Sequence, residues 1–77
     1  MSKYEMTDQD LEKLENSFTY HSPKEDQPER YVELRDEAYQ LAIKIMECCP
    51  QSRERSLAIT ALENAVMWAN KAIACNE

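Results

Sequence analysis

The sequence predicts an all-α protein: a short N-terminal helix plus a long antiparallel helical hairpin, one helical domain over residues 1–77, assembled as a homo-oligomer. Three observations carry that prediction. Glycine is absent, so the left-handed positions that tight β-hairpins and glycine-rich phosphate loops need have no natural occupant. Two long stretches place apolar residues three and four apart, which is the helical period. Between them lies only Pro50-Gln51-Ser52, short enough to force neighbouring helices back on one another.

The first helix is expected over about residues 8–18. Thr7 followed by Asp10 reads as an N-cap with an acidic partner three residues on, and Leu11, Leu14 and Phe18 then recur at helical spacing. The segment from Tyr20 to Pro28 contains two prolines and no periodic apolar pattern, so it reads as a loop. Pro28 suits the first turn of the second helix, expected over about 27–49. Tyr31, Leu34, Ala38, Leu41, Ile45 and Cys48 form its seam, and Pro50 stops it. Ser52 is a good N-cap for the third helix, over about 53–75. Leu57, Ala61, Ala65 or Val66, Ala69 and Ile73 form one stripe there; Leu62, Met67, Trp68 and Ala72 widen it. Phe18 and Tyr31 read as core residues.

Size predicts assembly. A chain of 77 residues seldom buries enough apolar surface to be stable alone, and the usual remedies are disulfides, a metal or oligomerisation. Three cysteines, two of them the neighbours Cys48 and Cys49, point to reduced thiols in an intracellular setting. Both read as buried, inert thiols at the end of an apolar stripe. A lone histidine and no C-x-x-C spacing make a metal or other cofactor unexpected. Oligomerisation remains, with Trp68 facing other copies; the alternative is a three-helix monomer with a partly exposed stripe.

Charge and hydropathy restrict the partners. No apolar run approaches the ~20 residues that span a bilayer, and the polar start Met1-Ser2-Lys3-Tyr4-Glu5 is unlike a signal peptide. A net charge of −6 disfavours nucleic-acid polymers and anionic membranes. A small anion remains possible through local arginines.

Two clusters suit such an anion. Ser52-Arg53-Glu54-Arg55-Ser56 opens the third helix, where free backbone N–H groups add to guanidinium and hydroxyl donors; an ordinary cap with solvated arginines is the plainer reading. Phe18-Thr19-Tyr20-His21, followed by Arg30, Tyr31 and Arg35, offers rings to stack on a base and guanidinium groups for phosphate. Arg30 and Arg35 lie on different helix faces. His21 has no catalytic partners that sequence can identify, and acid pairs such as Asp36 and Glu37 read as solvated surface. The sequence predicts a binding protein, not an enzyme.

The string Phe18-Thr19-Tyr20-His21-x-Pro23, then Gln27-x-x-Arg30-Tyr31-x-x-Leu34-Arg35, then Pro50-x-Ser52-Arg53-Glu54-Arg55-Ser56-Leu57-Ala58-x-Thr60, continuing through Met67-Trp68-Ala69-Asn70 to Ala74, resembles a phage family. It is the helical-hairpin family of anti-CBASS cyclic-oligonucleotide sponges, whose domain is shared with an anti-Thoeris sponge type. The resemblance covers about residues 18–77. It implies a homohexamer that holds cyclic dinucleotides and cyclic trinucleotides without cleaving them, in the cytoplasm of the infected bacterial host. It further implies that Tyr20 stacks on a base and Arg35 contacts phosphate, with His21 as a neighbour. For a second pocket it implies Arg53 or Arg55 together with Ser56 or Thr60. The alternatives are a sponge for an ADP-ribose-derived Thoeris signal and a small protein–protein interaction module.

Overall fold

The computed structural model describes residues 3–77; Met1 and Ser2, at the head of the polar start, lie outside the described residues. Three helices follow in order: α1 (Asp8–Phe18), α2 (Gln27–Cys48) and α3 (Arg53–Asn76), with no strand among the described residues. Local chemistry sets each start. Thr7 Oγ1 accepts the Asp10 N–H while the Asp10 carboxylate accepts the Thr7 N–H, both at 3.0 Å, a reciprocal capping box. Its backbone bond to Thr7 holds the Asp10 carboxyl below the usual carboxylate range. Pro28 sits in the first turn of α2, where a missing N–H costs nothing. Ser52 caps α3 by accepting the Arg55 N–H at 3.1 Å.

α2 and α3 lie side by side, tied at both ends. At one end Arg30, in the first turn of α2, donates to both carboxylate oxygens of Glu77, the cap residue of α3. At the other end Arg55 donates to the carbonyls of Met46 at 3.3 Å and Cys49 at 3.2 Å, satisfying acceptors that the end of α2 leaves without intrahelical partners. α1 is attached by polar bonds: Asn16 Nδ2 donates to the Cys75 carbonyl at 2.9 Å.

The protein is one helix thick. Its extents are 49 × 37 × 13 Å, and a helix with side chains measures ~10–12 Å across. The radius of gyration is 17.3 Å, against about 11.5 Å for a compact chain of this length. The exposed surface is 6,762 Å², against roughly 4,900 Å² for a compact monomer of this mass. A single layer encloses nothing, and among the described residues no apolar side chain is fully buried.

Several expected core positions are therefore corrected. Phe18, read as core, is 85 % exposed, because α1 has no second layer to bury it against. Along α2 the half-buried positions include Tyr31, Leu34, Ala38, Ala42 and Ile45, so Ala42 takes the place expected of Leu41. Along α3 they include Ala58, Ile59, Leu62, Val66, Ala69 and Ile73, whereas Leu57, Ala61 and Ala65 face outward. Cys48 and Cys49, expected to be buried, are exposed. Trp68, at 68 % exposure, stands free on the single chain. No helix among the described residues is long and apolar enough to cross a membrane.

Candidate functional site

The turn before α2 positions the first arginine. Glu25 adopts φ 47°, and the Gln27 N–H closes the turn on the Lys24 carbonyl at 2.8 Å. The Gln27 side chain then folds inward: its Oε1 accepts the Lys24 N–H and its Nε2 donates to Glu77. At 4 % exposure it is buried, with both ends of the amide satisfied as burial demands. Arg30 completes the clasp, pairing with Glu77 and with Asp26 at 3.1 Å. Hydrogen bonds from Arg30 first, and from Gln27 second, lower the Glu77 carboxyl to about 2, and the same pairing raises the Arg30 guanidinium.

Arg35 is placed differently. It lines an open cleft of about 290 Å³ between α2 and α3 with Tyr31, Asn70, Lys71 and Ala74. It also lines a mostly apolar groove of about 380 Å³ with Ala38, Tyr39, Ile59 and Val66, where Glu63 is the one acidic residue. Among the described residues it forms no ion pair. A guanidinium at the mouth of an apolar groove, beside a second cation, is a site for an anion that carries a flat apolar part.

The loop carries Tyr20, 82 % exposed, and His21. The His21 Nε2 sits 2.8 Å from the Asn16 carbonyl; a carbonyl only accepts, so the proton is on Nε2. That bond fixes the ring against α1. Phe18 approaches the cleft through Lys71, whose Nζ stands 6.0 Å from the ring centre.

At the head of α3 the two arginines separate. Arg55 is held by the α2 carbonyls. Arg53 is exposed and forms no ion pair among the described residues. Ser56 and Thr60 are exposed one turn apart on the same helix.

Residues 10–74 match the family described as Acb2/Tad1, hairpin domain. The chain belongs to the Acb2/Tad1 hairpin-domain family. No curated protein and no solved structure matches it. Membership makes it a sponge-type anti-defence protein that binds small signalling nucleotides, with α2 and α3 as its helical hairpin.

Within this Acb2/Tad1 hairpin, Tyr31 and Arg35 share a cleft, while Tyr20 and His21 lie in the loop between α1 and α2, and Arg53, Ser56 and Thr60 lie at the head of α3. Sequence reasoning missed Lys71 and Asn70, which line the Arg35 cleft. Lys71 did leave a signal: it is the one charged residue between Glu63 and Glu77, isolated in an apolar run where solvation alone gives no reason for it.

Proposed function

We propose that the protein is a phage-borne sponge that sequesters cyclic di- and trinucleotide immune signals without cleaving them, so that CBASS effectors in the cytoplasm of the infected bacterium are not activated. The observation that carries this reading is Arg35: in a chain of net charge −6, it stands without an acidic partner in a cleft between the paired helices. Tyr20 supplies a stacking face for a base, His21 steadies that loop, and Arg35 holds phosphate. Arg53, with Ser56 or Thr60, serves the second pocket; Arg55 shapes it by holding the end of α2.

Affinity of this kind is within reach. Two or three charge-assisted hydrogen bonds at ~1.5–3 kcal/mol each and base stacking at ~1–3 kcal/mol per base approach the ~12 kcal/mol of a nanomolar complex. Sequestration requires only that affinity and sufficient copies, with no chemical step.

The sponge works as a homo-oligomer, a hexamer. A one-helix-thick layer with Trp68, Met67 and Leu57 exposed supports this, because the surplus area is of the size that stable assemblies bury. Trp68→Ala is expected to lower the sedimenting mass; an unchanged mass would place Trp68 outside the subunit contacts.

The deciding experiment is isothermal titration with cyclic GMP–AMP, cyclic di-AMP, cyclic tri-AMP and a linear dinucleotide. Tight binding of a cyclic species, recovered intact after denaturation, supports the sponge. Its hydrolysis would make the protein an esterase. Silence with all four turns the reading toward an ADP-ribose-derived signal, the other ligand class of this shared family. The exposed apolar stripe of α3 favours one further reading, a protein-interaction module; it gains if Tyr20→Ala and Arg35→Ala leave a partner complex intact and no nucleotide binds.

A further inference from the structure

We propose that Lys71 continues the Arg35 cleft into a second one, so that Lys13, Lys71 and Arg35 form a single anion-binding track across all three helices that takes a ligand bearing two phosphate groups. The proposal rests on the reading of Arg35 as a phosphate contact and adds the second phosphate and its holders. Lys71 lines both clefts. On one side it meets Arg35, Tyr31 and Asn70 between α2 and α3. On the other it meets Lys13, Asn16 and Trp68 between α1 and α3.

Neither cleft is lined by a carboxylate, although the chain has 15 acidic and 9 basic residues. The other cations with partners are used within the chain: Arg30 by Glu77 and Asp26, Lys24 by the Glu77 carbonyl, Arg55 by two α2 carbonyls. Lys13, Lys71 and Arg35 form no ion pair among the described residues. The Lys71 ammonium stands 6.0 Å from the Phe18 ring, a contact at the outer limit of cation–π attraction that orients the charge without neutralising it. Like charges along one track repel until an anion arrives, so the free protein is set to gain from a multiply charged ligand more than from a singly charged one.

Size agrees. The clefts measure about 290 and 350 Å³, each near the lower limit of the ~300–1,000 Å³ typical of small-molecule sites. One cleft suits a mononucleotide; a ligand with two nucleotides needs both, and Lys71 stands where they meet.

The test compares Lys71→Gln, Lys13→Gln and Arg35→Gln by calorimetry, with cyclic di-AMP (two phosphates) and 3′,5′-cyclic AMP (one phosphate). Lys71→Gln is expected to weaken cyclic di-AMP about ten- to a hundredfold and to flatten its salt dependence. Cyclic AMP is expected to lose less than about threefold, and Lys71→Arg to restore binding. An unchanged circular dichroism spectrum and oligomer mass exclude a folding defect. If Lys71→Gln and Lys13→Gln bind cyclic di-AMP like the wild type while Arg35→Gln does not, the track is wrong and the sponge reading stands. If the wild type binds neither cyclic nucleotide, the cyclic-nucleotide reading fails on its own. Inorganic pyrophosphate then decides the track: shifts at the Lys13 and Lys71 side-chain resonances sustain it, and their absence overturns it.

Discussion

Arg30 donates to both oxygens of Glu77 and pairs with Asp26, whereas Arg35, five residues further along α2, has no acidic partner among the described residues. Five residues turn a helix by about 140°, so the two guanidinium groups leave α2 on different sides. One reaches the end of α3 and becomes part of the fold. The other opens onto a cleft, where the proposed ligand would meet it. Residue type alone does not distinguish them; the position of Glu77 does. The contrast separates mutations that weaken binding from mutations that weaken the fold.

The largest expected effect tests that separation. Arg35→Ala should reduce affinity for cyclic dinucleotides about ten- to a hundredfold, the loss of one charge-assisted contact to phosphate, and leave the melting temperature unchanged. Arg30→Ala should do the reverse, lowering the melting temperature with affinity kept within about threefold. Calorimetry and thermal melts on the same samples check both. If Arg30→Ala abolishes binding at an unchanged melting temperature, the clasp is itself the ligand site and the comparison collapses.

A second pair sharpens the same idea at the other end of the hairpin. Arg53→Ala should weaken cyclic trinucleotides about tenfold, consistent with one lost charged hydrogen bond, and spare cyclic dinucleotides. Arg55→Ala should cost about 1 kcal/mol of stability, because the Met46 and Cys49 carbonyls lose their donor. Equal loss of both ligands in Arg53→Ala would merge the two pockets into one.

These contrasts also show what the sequence could reveal. Features set within four residues were legible: the Thr7–Asp10 box, the Ser52 cap, the stop at Pro50. The buried faces were less so. Leu41 and Ala42 differ by one position, as do Leu57 and Ala58, and a helix as rich in alanine as α3 offers apolar atoms on every side. Which side turns inward is settled by Arg30 on Glu77 and Arg55 on Cys49, and the first of these spans 47 residues. The core assigned to Phe18 failed for a related reason: periodicity predicts a helix face, but only a second layer makes a face a core. Of the candidate site, Arg35 and Tyr31 were visible because they share a helix. Lys71 and Lys13 join Arg35 only when three helices assemble.

Acid should open the clasp. Arg30 and Gln27 lower the Glu77 carboxyl from its ordinary 4.5 to about 2, so the folded state favours the carboxylate. A lowered pKa stabilises fully above the ordinary value and is lost as pH falls toward the folded one. The melting temperature of the wild type should therefore drop between about pH 4.5 and 2. Asp10, lowered by its Thr7 bond, contributes with the same sign. Glu77→Gln should start lower at pH 7 and fall less over that range. Superimposable pH profiles for the two proteins would mean that Glu77 does not hold the helix ends together.

The smallest effect concerns the turn that sets the clasp. Glu25 has φ 47°, a left-handed conformation that costs a residue with a Cβ about 1–3 kcal/mol, in a chain with no glycine. Glu25→Gly removes that strain but enlarges the unfolded ensemble by up to ~1 kcal/mol. A net gain of about 0.5–1 kcal/mol should remain, read as a higher urea midpoint at constant slope. Glu25→Val should move the midpoint the other way, since a β-branched residue tolerates this region least. Ligand affinity should change in neither variant, because the turn positions Gln27 and Arg30 while Arg35 lies five residues beyond Arg30 along α2. Weaker binding in Glu25→Val at saturating folded population would show that strain at the clasp reaches the cleft, and that the two arginines are coupled after all.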